Sequence, residues 1–205
     1  MKKAMVKTGL ATVMMFGAVL GHGGVTNAEA VPASSKTQTV MTDNLFKYGL
    51  KKDVELPVTV TAGGLSYTLE KIMIFDSKSK DAQALIKKYG YTGTESAKYF
   101  IWTKITVENK SGNTVQKSYE DLKEKWVLNF GGDYSAYVTM PLTTVNVANY
   151  KPNNNEALWS WSLKPGQKLS TYQAHLYNED FKEFYVSVNN KGNQNFVEIV
   201  KATDK

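Results

Sequence analysis

Residues 99–108 read Tyr-Phe-Ile-Trp-Thr-Lys-Ile-Thr-Val-Glu, with β-branched or aromatic side chains at eight of ten positions. At period two, Tyr99, Ile101, Thr103, Ile105 and Val107 share one face, and Phe100, Trp102, Lys104, Thr106 and Glu108 share the other. A helix would scatter such a pattern around its axis, whereas a strand sorts it into two faces. The chain must therefore build a sheet around this segment.

The same period recurs on both sides of it. Val58 and Val60 alternate with threonines, and Ala62-Gly63-Gly64 is a hairpin signal. Leu65, Tyr67 and Leu69 share a face, the phase slips at Glu70-Lys71, and Ile72 with Ile74 takes over. A bulge accounts for the slip, because one extra residue exchanges the faces. Trp126, Leu128 and Phe130 alternate, Gly131-Gly132-Asp133 turns the chain, and Tyr134, Ala136, Val138 and Met140 alternate back as a hairpin. Trp159, Trp161 and Leu163 precede Lys164-Pro165-Gly166-Gln167, which has the chemistry of a type II turn. Tyr172, Ala174 and Leu176 are expected to face inward, followed by Phe184, Val186 and Val188 and a last strand near 196–200. Residues 81–89 carry helical spacing (Ala82, Leu85, Ile86, Tyr89), with Gly90 as a stop. One or two helical turns are also expected over 118–125.

The reading is an all-β fold, an antiparallel β-sandwich with one or two short helical inserts. The expected organisation is a signal peptide at 1–30, an N-terminal arm or linker at 31–55 and the sandwich at 56–205. The leader has Lys2, Lys3 and Lys7, a thirteen-residue apolar stretch over 8–20 too short to span a bilayer, and Ala28-Glu29-Ala30 as a cleavage signal after Ala30. Its removal takes three lysines and one glutamate, so the formal charge of +6 becomes +4. No transmembrane segment is expected in the mature chain, and the expected location is extracellular, secreted or associated with the cell wall.

The segment from about Pro57 to Val200 resembles a family of immunoglobulin-like extracellular domains of Gram-positive bacteria and mycobacteria. That family includes a small secreted immunoprotective antigen of mycobacteria and many domains of unknown function. The likeness rests on Gly64-Leu-Ser-Tyr-Thr-Leu69, Ile101-Trp-Thr-Lys-Ile-Thr-Val-Glu-Asn-Lys-Ser-Gly112, Leu163-Lys-Pro-Gly-Gln-Lys168 and the strand of Tyr172, Ala174 and Leu176. It implies an immunoglobulin-like sandwich and export, and it brings no catalytic residues. The helical segments depart from the pattern.

The chemistry is sparse. There is no cysteine, so disulfides, thiolate ligands and thiol nucleophiles are excluded. All 25 basic residues are lysine; without the arginine fork the chain is a poor nucleic-acid reader, and no nucleic acid is expected as partner. His175, the one histidine beyond the leader, shares phase with Thr171 and Gln173 and is expected on a solvent face, away from catalysis. Ser77-Lys-Ser-Lys80 matches Ser-x-x-Lys, but 13 serines and 25 lysines make one or two chance matches the expectation. No metal and no cofactor is expected. Phe100, Trp102, Tyr137 and Tyr185 fall on outward phases and are the candidate partner-binding residues, able to stack on a sugar ring or anchor a protein. The expected function is a secreted, non-enzymatic binding or interaction module of a Gram-positive bacterium. Its partner would be a protein or glycan, with non-specific attraction to anionic cell wall. An extracellular structural or matrix component is the alternative, and a secreted hydrolase the third reading.

Overall fold

In the computed structural model, which describes residues 41–118, 121, 123–131, 135–139 and 152–202, the alternating segments form ten strands and one α-helix. The leader, with Ala28 and Ala30, lies outside the described residues.

Strands β1 (Val58–Ala62) and β2 (Leu65–Asp76) make the predicted hairpin. Its two-residue turn has positive φ at both Gly63 (52°) and Gly64 (78°), the requirement of the turn type that matches strand twist. β2 pairs with β3 (Tyr99–Asn109) along its whole length, and the register shifts between Leu69 and Lys71. The bulge therefore falls where the phase slips. It keeps Leu65, Tyr67, Leu69, Ile72 and Ile74 all on the inner face.

β3 then pairs with β8 (Lys168–Tyr177), and β8 with the two-residue β6 (Tyr137–Val138), giving a five-stranded sheet in the order β1-β2-β3-β8-β6. Facing it is a three-stranded sheet, β10 (Asn193–Val200), β9 (Phe184–Asn190) and β5 (Trp126–Asn129). A two-stranded ribbon pairs β4 (Val115–Lys117) with β7 (Trp161–Leu163). The core between the sheets is apolar and aromatic, with Trp126 stacked on Trp161 at 5.2 Å and beside Tyr67 at 5.1 Å.

Both lateral margins of the sandwich are tied. At one, the backbone N–H groups of Asp53 and Val54 donate to the Ile199 carbonyl (2.8 and 3.4 Å), and Asn195 Nδ2 donates to the Thr61 carbonyl (3.2 Å). At the other, a single bridge joins Leu128 of β5 to Ala136, just before β6. The chain from β5 to β6 thus crosses between the sheets. Of the hairpin predicted over 126–140, the described residues keep that one antiparallel bridge, while the main pairing of β5 is with β9 and that of β6 with β8; residues 132–134 and Met140 lie outside the described residues.

The arm is part of the fold. A short 3-10 turn at Leu45–Tyr48 precedes the left-handed Gly49, and Leu45 and Leu50 are buried in the main core. β1 pairs only with the first part of β2, and the side chain of Asn44 covers the edge beyond it. Asn44 Nδ2 donates to the Ile74 carbonyl (2.6 Å), and its Oδ1 accepts from the Ile74 N–H (2.8 Å). An open strand edge is thereby closed by one amide.

Helix α1 (Lys80–Tyr89) is capped by Ser79, whose side chain accepts from the Ala82 N–H, and is ended by Gly90 in the left-handed region. Around Ser118, the described residues 118, 121 and 123–125 are not helical. Instead, the Ser118 N–H donates to the Asp121 carboxylate (2.6 Å) and the buried Lys117 ammonium donates to the carbonyls of Asp121 and Lys123. The lysine thereby gathers the Asp121 and Lys123 carbonyls, and the helical turns predicted over 118–125 fall partly on residues 119, 120 and 122, outside the described residues.

Gly63 leaves no room for a side chain. A Cβ there would lie 2.2 Å from the backbone oxygen of Asn190. Gly63→Ala must therefore separate the β1–β2 turn from the β9 end while holding a left-handed backbone. A loss of about 2–4 kcal/mol is expected in urea unfolding.

Candidate binding surface

The outer face of the five-stranded sheet divides into two halves. Toward the turn joining β2 and α1, it carries Met73, Phe75, Phe100, Trp102, Ala174 and Leu176. These residues form a second core beneath α1, closed by Ala82 and Ile86 of the helix and by Tyr91 and Ala97 of the following loop. Trp102 lies between Tyr89 and Tyr172, with ring centroids at 5.3 and 5.5 Å and interplanar angles of 22° and 7°. The other half is polar, with Glu70 bound to Lys104 (2.8 Å) and to the Thr106 hydroxyl.

This arrangement corrects two of the binding candidates. Phe100 is fully buried and Trp102 is only 4% exposed, because α1 and its loop cover the face on which they stand. Tyr137 is 47% exposed, at the margin of the same sheet, in register with Leu176 and through it with Phe100. Tyr185 is half-buried on the outer face of the opposite sheet. The four predicted residues therefore do not form one surface.

β8 is inverted relative to expectation. Ala174 and Leu176, with Tyr172 packed against them, serve the outer core under α1, while Thr171, Gln173 and His175 point between the sheets. The helix supplies the reason: once it covers the outer face, that face needs apolar residues. The polar residues turned inward find partners in two cases. Gln173 Oε1 accepts from the Trp126 indole N–H (2.8 Å), and the Thr171 hydroxyl donates to the Asn154 carbonyl (2.6 Å). His175 is 1% exposed rather than solvent-facing, and neither ring nitrogen has a hydrogen-bond partner. Burial pushes its pKa down to about 3, so the ring is neutral.

The Ser-x-x-Lys residues are absorbed by structure. Ser77 is buried with its hydroxyl donating to the Ala97 carbonyl, and Lys80 begins α1 on the exposed side. Among the described residues no cluster of three or more metal-ligating side chains occurs.

An exposed aromatic pair lies on the three-stranded sheet. Phe196 of β10 is 56% exposed and meets the Tyr185 ring at 5.9 Å and 65°. Register places Phe196 opposite Ser187, Tyr185 opposite Glu198 and Asn129, and Asn189 opposite Gln194. The pair is thus set among amides, a hydroxyl and one carboxylate on a sheet face. The sequence reading named Tyr185 but missed Phe196, assigning it only to a last strand. The signal was its pairing phase: residue 196 falls opposite Ser187, which alternates with the inward Val186 and Val188. Phe46 in the arm is also exposed, without an aromatic neighbour of this kind among the described residues.

No helix among the described residues is long and apolar enough to cross a membrane. No protein-family profile matches the chain, and no curated protein does. Among solved structures, it is similar to the yjhA protein of Bacillus subtilis at 13% identity, over 66% of this chain and 81% of that one, with a TM-score of 0.40. It is also similar to a conserved hypothetical protein of Bacillus anthracis, at 14% identity over 71% and 94% of the two chains with a TM-score of 0.39. A functionally unknown protein of Listeria monocytogenes is similar at 11% identity, over 72% and 82%, with a TM-score of 0.41. These three neighbours are uncharacterised proteins of Gram-positive bacteria.

Proposed function

We propose that this chain is a secreted, non-enzymatic binding module of a Gram-positive bacterium, built as an immunoglobulin-like sandwich. Its partner-facing surface is the outer face of β9 and β10. The observation that carries the reading is the exposed Phe196 standing against Tyr185 on a sheet face, among polar side chains. An aromatic pair held by two hydrogen-bonded strands is rigid, so little side-chain freedom is lost when a protein or glycan packs on it. The leader read from residues 1–30 supports export, and the positive charge of the remaining chain favours retention near anionic wall polymers. The tied margins of the sandwich weigh against a fibre component growing by strand addition.

The test is capture of partners from isolated cell wall, glycans and surface proteins, with wild type beside the double variant Tyr185→Ser, Phe196→Ser. Capture is expected to fall at least about tenfold, with melting temperature nearly unchanged because both rings lie toward solvent. Equal capture by both proteins would remove this face from the account. Binding to wall alone that disappears with added salt would leave charge as its cause.

A further inference from the structure

His175 is a titratable group buried without a use in the binding face. Its position gives it one. Among the described strands, β8 is second from the margin of its sheet, with β6 outside it. β6 has two residues, and Val138 pairs directly with His175. Among the described residues, this segment is held by the β6 pairings, the Thr139 N–H to the Ala174 carbonyl (3.1 Å), the Thr139 hydroxyl to the Thr92 carbonyl (2.7 Å), the Asn129 amide to the Ser135 hydroxyl (3.1 Å) and the Leu128–Ala136 bridge.

Among the described residues, neither ring nitrogen of His175 has a hydrogen-bond partner. On the inner face of β8, His175 lies between Gln173 and Tyr177. Gln173 reaches Trp126 and Tyr177 meets Phe130 at 5.3 Å, which sets His175 at the level of Leu128 on β5. From β3 the inward residues at this level are Tyr99, Ile101 and Thr103; from β9 they are Phe184 and Val186. The titratable groups among these are the Tyr99 and Tyr177 phenols. Burial first, then Glu179, Asp180 and Glu183, pushes Tyr177 up to about 12, and its hydroxyl donates to the Gly131 carbonyl (2.6 Å). The three carboxylates near it lie beyond the end of β8, and no carboxylate stands on these inward faces.

We propose that His175 is an acid latch: its protonation detaches β6 from β8 and opens that margin of the sandwich while the β1-β2-β3 pairing stays closed. An unpaired imidazolium is costly to keep buried at this level, and the strand beside β8 at the margin is only two residues long. The sign follows from linkage. The folded ring binds its proton only near pH 3, while an opened ring binds it below about 6.5. Closure is therefore unaffected above that value and is lost as pH falls from it toward the folded pKa. At pH 5.0 the opening equilibrium should be about 30-fold larger than at pH 7.5.

That window separates the latch from the carboxylates. Lys98 holds the Asp180 carboxyl below its usual range, and the Ser118 N–H does the same for Asp121. Partial burial opposes the effect at Glu70, but bonds from Lys104 and Thr106 win. All three stay ionised at pH 5.

The experiment is hydrogen exchange read by mass spectrometry at pH 7.5 and 5.0, corrected for intrinsic rates, on wild type, His175→Leu and His175→Gln. Wild-type amides in 136–139 should lose about 30-fold of their protection at pH 5.0, those in 65–75 should not, and both variants should be flat. Equal loss in all peptides, or the same loss in the variants, overturns the proposal. If neither variant folds, NMR titration of the wild-type imidazole decides, since His22 is the only other histidine. A ring titrating near 6.5 with protection of 136–139 intact overturns the latch. A ring that gains its proton only together with loss of that protection supports it.

Discussion

Trp102→Ala is expected to destabilise the protein by about 3–5 kcal/mol, as much as truncation in the main core. Its ring fills the space between the sheet and α1, in contact with Tyr89, Tyr91, Phe100 and Tyr172. Removing it leaves a void walled by four other aromatic rings, which cannot all move inward without leaving their rotamers. Thermal and urea melts check the value. Partner capture by the fraction still folded should be unchanged, because the ring does not reach the surface. A loss under about 1 kcal/mol with weakened capture would return Trp102 to the binding surface.

Trp126→Ala should cost at least as much. Trp126 is stacked on Trp161, lies against Tyr67 and donates its indole N–H to the buried Gln173. Truncation creates a large cavity and also leaves Gln173 Oε1 without its protein donor. The two effects together give about 4–6 kcal/mol, which approaches the whole stability of many domains of this size. Trp126→Phe keeps most of the volume and loses the hydrogen bond, so the difference between the two variants separates packing from the bond. Trp159, which precedes β7 and is only half-buried, should tolerate truncation better than Trp161.

The elements legible in the sequence were those fixed by local chemistry. The bulge at Glu70-Lys71 showed as a break in the period, because a strand with a buried face cannot change phase without an extra residue. The turn at Pro165-Gly166 formed as read, with Gly166 at φ 76° and the Gln167 N–H on the Lys164 carbonyl at 3.0 Å. The helix at 81–89 formed one residue longer at its start, between a serine cap and a glycine stop.

What failed was the choice of face. Alternation assigns residues to two sides of a strand but does not say which side is covered. On β8 the polar side was taken as outward, and α1, which ends at Tyr89, far earlier in the chain, makes the opposite true. The same covering turned Phe100 and Trp102 from surface candidates into core. Asn44 was invisible as an edge cap, because its partners at Ile74 lie 30 residues away. The arm shows no sustained period, so Leu45, Phe46, Tyr48 and Leu50 could be read as able to dock but not placed; Leu45 and Leu50 complete the core, with Tyr48 packed against it. Of the binding site, only Tyr185 was legible. Phe196 needed the β9–β10 register to show which way it points.

The most direct test of the binding surface is hydroxyl-radical footprinting of the aromatic side chains, free and with the captured wall or surface fraction. Without a partner, Phe196 and Tyr137 should be oxidised readily, and Phe100 and Trp102 should be protected to the degree of Trp126. With the partner, protection should appear at Phe196 and Tyr185 and leave Tyr137 unchanged. Rapid oxidation of Trp102 in the free protein, or protection that builds at Tyr137 while Phe196 stays open, would contradict the account.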